Sequence, residues 1–117
     1  MTNAIRNNHA IAASKVAGTD VYNLSGEHIG HVEDVILDKK SNNILFAVLG
    51  FGGFLGIGQK YHPMPWSMLN YDENKSGYVV SVSRDILERA PAHDMSELIS
   101  NDASISRKAT EYYAPHH

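Results

Sequence analysis

The sequence predicts a mainly β domain of about six short strands, followed by one or two short helices. Turn-forming residues recur along the middle of the chain at intervals of about ten residues, a spacing typical of successive short strands. The turns lie at Ser25-Gly26, 39–43, Gly52-Gly53 and 72–77. The strands predicted between them are 20–22, 31–38, 44–51, 59–65, 68–72 and 77–82.

The predicted strand 44–51 is apolar on both faces, because side chains alternate between the two sides of a strand. One face carries Ile44, Phe46 and Val48, and the other carries Leu45, Ala47, Leu49 and Phe51. Such a strand must be covered on both sides. We expect the domain interior to cover one side, and either a helix or a second subunit to cover the other.

Two helix starts follow the last strand. Ser83 is a plausible N-cap for a first helix that Pro91 must end, because proline lacks a backbone N–H and its ring clashes with the preceding turn. Asp94 and Glu97 have the spacing of a capping box for a second, short helix.

Length and composition limit the classes of protein that fit. A chain of 117 residues supports one domain, and we expect an N-terminal tail at 1–14, the domain at 15–95, and a short helix with a C-terminal tail at 96–117. The segment 101–117 shows no core-facing apolar pattern. The chain has no cysteine, which excludes disulfides and thiolate chemistry. A net charge of −3 with scattered cations predicts no nucleic-acid partner.

No apolar run approaches the ~20 residues of a membrane span, and the N-terminus lacks the features of a secretory signal. We therefore expect no membrane anchor and a soluble, cytoplasmic protein. A periplasmic location stays open if a signal peptide once preceded this sequence.

Three sequence elements in a fixed order carry a family resemblance. They are KVAGTDVYNLSGEHIGHVEDVILD from Lys15, a glycine-rich stretch that closes on Pro63-x-Pro65-Trp66, and VSVSRDILERAPAHD from Val80. This order resembles the PRC-barrel family, which includes the cytoplasmic barrel of the photosynthetic reaction-centre H chain and the C-terminal domain of a ribosome maturation factor. The resemblance implies a small β-barrel that acts as a non-catalytic adaptor.

The residues of this pattern also have physical reasons to be there. Gly26 and Gly30 flank a predicted hairpin, where glycine permits positive φ and close backbone approach. Pro63 and Pro65 have no backbone N–H. Because they alternate along the predicted strand, the missing hydrogen-bond donors lie on the same side of it, which favours a strand at the edge of a sheet. Trp66 is expected to cap the barrel with a buried ring. The glycine-rich stretch is not a phosphate loop, because Gln59 follows Gly58 where the motif requires lysine.

Four large apolar residues lie in or beside the glycine-rich loop: Phe51, Phe54, Leu55 and Ile57. Loops normally lie on the surface, where such side chains would form an apolar patch. Either the loop folds back and plugs the barrel, or these residues form a candidate interface. The second alternative predicts a homodimer, since two-fold dimers are the commonest small assemblies.

Candidate chemistry is sparse, and we expect no catalytic residue, no cofactor and no enzyme activity. His28 and His31 have a spacing that puts them on opposite faces of a strand, so a metal site with His62 is not favoured. Glu33 and Asp34 are adjacent on a strand and cannot act on one substrate atom.

The sequence therefore predicts a stand-alone protein-interaction or scaffolding module with an unidentified protein partner. One alternative is a ribosome- or RNA-associated adaptor, whose C-terminal cations and rings would bind the nucleic acid. The residues concerned are Arg107, Lys108, Tyr112 and Tyr113. Another alternative is a small-ligand-binding barrel whose mouth is lined by Tyr61, His62 and Trp66.

Overall fold

A computed structural model describes residues 9–51 and 60–116. In these ranges the strands are β1 (Asp20–Tyr22), β2 (His28–Leu37), β3 (Ile44–Phe51), β4 (His62–Met64), β5 (Asn70–Asp72) and β6 (Gly77–Val79). The α-helices are α1 (Ala13–Val16), α2 (Arg84–Glu88), α3 (Met95–Ser100) and α4 (Asp102–Tyr113). Two short 3₁₀ helices span Trp66–Met68 and Ala114–His116.

One sheet joins the six strands in the order β4-β3-β2-β1-β6-β5. The β1–β6 pair is parallel, and every other neighbouring pair is antiparallel. The prediction of a mainly β fold with about six short strands is thus confirmed. Within the described residues the edge strands β4 and β5 do not pair with each other, so hydrogen bonds do not close the barrel completely.

Most predicted strands lie where the sequence places them. Predictions 20–22 and 44–51 coincide with β1 and β3. The prediction at 68–72 is too long, because a 3₁₀ helix follows Pro65 before β5 begins. The strand predicted at 59–65 is longer than the observed strand, β4. Residue 59, the first of the predicted strand, lies outside the described ranges. Pro63 and Pro65 lie in and directly after an edge strand, as expected.

The strand β3 has an apolar cover on each side. Ala47 and Leu49 face the main core inside the curved sheet, together with residues of β1, β2, β6 and α2. Phe46 and Val48 face a second, outer core. Leu98 of α3 and Ile105 of α4 complete that outer core, so a helical cover is present.

Two glycines act where backbone geometry demands them. Gly26 has φ +84 in the β1–β2 turn, a conformation that favours glycine. Gly30 lies in β2 opposite Phe51, and a Cβ built there would be 2.3 Å from the carbonyl oxygen of Gly50. These positions confirm the predicted turn and the predicted close approach.

Both predicted helix caps are present. The Ser83 hydroxyl accepts a hydrogen bond from the Ile86 N–H at 3.2 Å. Asp94 accepts from the Glu97 N–H at 2.9 Å, and the Glu97 side chain accepts from the Asp94 N–H at 3.1 Å. These reciprocal bonds form a capping box.

The expectation of no core-facing pattern at 101–117 is wrong. Residues Asp102–Tyr113 form the longest helix of the described chain, and its buried side chains are Ile105, Ala109 and Tyr113. They recur every four residues and so form one narrow stripe. Sequence reasoning missed the stripe because an isoleucine, an alanine and a tyrosine make a weak apolar signal.

Tyr113 provides a test of this packing. Its side chain is fully buried in the main core, and its hydroxyl has no hydrogen-bond partner among the described residues. We expect Tyr113→Ala to lower the free energy of unfolding by about 3–5 kcal/mol, because it leaves a large cavity. Tyr113→Phe should leave stability unchanged or raise it by about 1 kcal/mol, because it removes an unpaired buried polar atom.

Urea denaturation of the two variants and the wild-type chain measures this difference. Equal losses of unfolding free energy in Tyr113→Ala and Tyr113→Phe would contradict the buried, unpaired position of the hydroxyl. They would mean that the hydroxyl contributes as much to stability as the ring.

Candidate functional site

An open groove of about 680 Å³ lies on the outer side of the sheet, where β2 turns into β3. We call it the outer groove. One wall is the end of β2 and the following turn, and the other is the α3–α4 junction. Its lining residues are Asp34, Val35, Ile36, Leu37, Asp38, Lys39, Lys40, Leu45, Ile99 and Asp102.

Two large apolar side chains are exposed at the outer groove. Leu37 is 56% exposed and Ile99 is 57% exposed, whereas Ile36 and Leu98 beside them in the sequence are buried. Leu37 is the last residue of β2 and follows a register shift at Ile36/Leu37, whereas Ile99 adjoins Leu98 on a helix, where adjacent side chains point in different directions. Ile44, which pairs with Leu37 across the β2–β3 hairpin, is also exposed. The hairpin end thus carries apolar surface that the protein's own helices leave uncovered.

The β2–β3 turn fixes the charged end of the groove. The Asp38 carboxylate accepts hydrogen bonds from the Lys40 N–H at 3.0 Å and from the Ser41 hydroxyl at 2.9 Å. These bonds lower the pKa of Asp38 and keep its charge engaged within the turn. Asn42 completes the turn with φ 66.

Four other charges of the groove lack ionic partners. Lys39 and Lys40 are exposed at the turn, Asp34 is exposed on β2, and Asp102 is half-buried at the start of α4. Across residues 9–51 and 60–116, none of these four forms an ion pair within 4.0 Å. Their charges are therefore available to a binding partner.

The predicted barrel-mouth residues separate into different environments. Tyr61 packs against the outer core, and its backbone pairs with that of His93. Trp66 is half-buried and contacts the Tyr78 ring edge-on at 5.6 Å between centroids, so it is not the fully buried cap that the sequence predicts. His62 packs elsewhere, against Phe51. Tyr61 thus packs against the outer core, whereas Trp66, and the Phe51 ring that contacts His62, pack against the main core.

Of the predicted interface residues, Phe51 alone lies in the described ranges. Its ring is 4.6 Å from that of His62, centroid to centroid, and it packs against the main core. Phe54, Leu55 and Ile57 lie outside the described residues. Inside the sheet, apolar side chains fill the main core.

The remaining polar candidates form isolated pairs. His28 is 3.0 Å from Asp20, and His31 is 2.9 Å from Glu33. Asp34 lines the outer groove, away from the His31–Glu33 pair. No group of three or more potential metal-ligating side chains is found within the described ranges.

The C-terminal tyrosines are used for packing. Tyr113 is buried, and the Tyr112 hydroxyl donates a hydrogen bond to the Ile86 carbonyl at 2.7 Å. The two rings contact each other edge-on. Base stacking needs free ring faces, so this packing gives the RNA-binding alternative no support.

The sequence profile of the PRC-barrel domain matches residues 8–87, and the chain belongs to this family. PRC-barrel domains are generally non-catalytic and of a protein-interaction type. No curated protein matches the chain. None of the helices in the described ranges has the length and apolar character needed to cross a bilayer.

Sequence reasoning did not identify the outer groove. A usable signal was present: Leu37 stands directly before the Asp-Lys-Lys turn, and Ile99 adjoins Leu98 in a short helix, where adjacent side chains point in different directions. Proximity of the two could not be inferred, because residues 37 and 99 meet only through the packing of α3 and α4 onto β3.

The burial of His62 predicts how the free energy of unfolding depends on pH. Burial lowers its pKa below the ordinary value of 6.5, and its Nδ1 atom has no hydrogen-bond partner among the described residues. As the pH falls, the unfolded chain therefore takes up this proton before the folded chain does. The stabilising contribution is complete above pH 6.5 and is lost as the pH falls from 6.5 through the lower pKa of the folded state.

We expect His62→Leu to flatten the pH dependence of the free energy of unfolding between about pH 5 and 7.5. Urea denaturation across this range measures the slope. His116→Leu, a change at an exposed histidine, controls for the loss of a titratable group. An unchanged slope in His62→Leu would show that this side chain is not the source of the pH dependence.

Proposed function

We propose that this chain is a non-catalytic protein-interaction module that binds a protein partner through the outer groove. The observation that carries the proposal is the pair of exposed apolar side chains, Leu37 and Ile99, on opposite walls of one groove. Exposed apolar side chains clustered in a groove are typical of interaction sites.

The composition of the groove favours a protein over a small ligand. Apolar residues from β2, β3 and α3 form its centre, and charged residues lie around them. Protein interfaces commonly have such an apolar centre and polar rim. Small-molecule sites instead enclose most of the ligand, whereas this groove is only partly enclosed.

An energetic argument also supports a binding partner at this groove. Leu37 and Ile99 each keep more than half of their surface in water, which costs free energy that a partner can recover by covering them. The partnerless charges of Lys39 and Asp34 can fix the orientation of that partner.

Site-specific photo-crosslinking tests this function. A photo-reactive phenylalanine analogue at position 37 or 99, in the cells that naturally make the protein, should yield light-dependent adducts with a protein. Leu24 is the matched control, because it is an exposed leucine in the β1–β2 turn, outside the groove. Absence of protein adducts from both 37 and 99, or equal adducts from 24, would contradict the proposal.

A further inference from the structure

We propose that the outer groove binds the outer groove of a second copy of this chain, in a two-fold homodimer. This inference rests on the proposed function, because it requires that the groove is a protein-binding surface. It adds the identity of the occupant and the orientation in which the occupant binds.

The apolar lining of the groove suits contact with itself. It combines the buried Ile36 and the half-buried Leu45 with the exposed Leu37 and Ile99. A two-fold interface uses the same patch on both subunits, so the exposed side chains of each copy can cover the groove lining of the other.

The charges of the groove are ordered along β2. Asp34 lies toward the middle of the strand, and Lys39 lies just beyond its end, five residues further on. At about 3.3 Å per residue for extended chain, the two positions are at most roughly 16 Å apart. The strand side of the groove is therefore acidic at one end and basic at the other.

This order of charges favours a second copy whose β2 runs in the opposite direction. A two-fold axis perpendicular to β2 reverses the strand in the second copy, so Lys39 and Lys40 of each chain face Asp34 of the other. The contact is made twice in one dimer, as in any two-fold interface. Asp38 lies at the same end as these lysines, with its carboxylate hydrogen-bonded to the Lys40 N–H and to Ser41, so that end of the groove has a net charge of +1.

The groove carries charges of both signs. Two lysines, Lys39 and Lys40, and three carboxylates, Asp34, Asp38 and Asp102, line it, and none of the five forms an ion pair in the described ranges. Each groove therefore has a net charge of −1 but can present opposite charges to a second copy.

The apolar contact is tested by the oligomeric state of the full chain. Sedimentation equilibrium should give a mass of twice 12.9 kDa. Leu37→Asp and Ile99→Asp should each raise the dimer dissociation constant at least about tenfold, because each places two carboxylates in the apolar centre of the dimer. Both residues are exposed in the single chain, so far-ultraviolet circular dichroism should stay unchanged.

Leu24→Asp is the matched control for these variants. Leu24 is 75% exposed and lies in the turn before β2, at the end of that strand opposite Leu37. The ten residues of β2, from His28 to Leu37, span roughly 30 Å. Leu24→Asp should therefore leave the dissociation constant unchanged. A monomeric wild-type chain, or a dimer that neither Leu37→Asp nor Ile99→Asp weakens, overturns the proposal.

A charge exchange tests the orientation. One variant carries Lys39→Glu with Lys40→Glu, and the other carries Asp34→Lys. Each alone should self-associate at least about tenfold more weakly than the wild type, because like charges then face each other twice. Mixed in equal amounts, the two should form a heterodimer, since every facing pair is again of opposite sign. A mixture that associates no better than its components refutes the reversed arrangement.

The two proposals can fail separately. If the chain is monomeric and crosslinks at 37 reach a different protein, the homodimer is wrong and the interaction module stands. If the chain is monomeric and positions 37 and 99 give no protein adduct, both are wrong. If the adducts from position 99 have the mass of two copies of this chain and Leu37→Asp abolishes them, both are supported.

Discussion

The antiparallel pairing of β2 with β3 is the constraint on which the rest of this structure depends. The pairing runs from Gly30 and Phe51 at one end to Leu37 and Ile44 at the other, and it places apolar side chains on both sides of β3. Neither face can stay in water without a large cost, so each needs its own cover. The curved sheet supplies the inner cover, and α3 with α4 supplies the outer one. The hairpin end extends beyond that outer cover, and the groove is the space that remains.

Local signals made much of this architecture predictable. Alternation in 44–51, the turn glycine at 26 and the caps at Ser83 and Asp94 each depend on residues close in sequence, and each was placed correctly. The groove depends instead on which residues meet across the fold. The approach of Ile99 to Leu37 is set by the docking of two helices, and no local pattern encodes it. The helix α4 was missed for a related reason, because its buried stripe is only one residue wide and includes an alanine.

The outer groove is formed by two parts of the chain, one inside and one beyond the segment that matches the PRC-barrel family. Leu37 and the turn lysines lie within residues 8–87, which match the PRC-barrel profile. Ile99 and Asp102 lie beyond that segment, on helices that cover the sheet from outside. The groove therefore exists only where this barrel and these helices occur together. A PRC barrel with a different C-terminal segment would present a different outer surface even if its sheet were identical.

The position of α4 in the chain has a consequence for synthesis on the ribosome. The outer face of β3 is complete once residue 51 has been made, but the helix that covers it ends at residue 113, 62 residues later. At about 5–20 residues per second, this interval lasts roughly 3–12 s. During that time Phe46 and Val48 have no native cover, and Tyr113 has not yet entered the main core. The nascent chain is thus exposed to wrong associations, and dependent on chaperones, between the synthesis of residue 51 and that of residue 113.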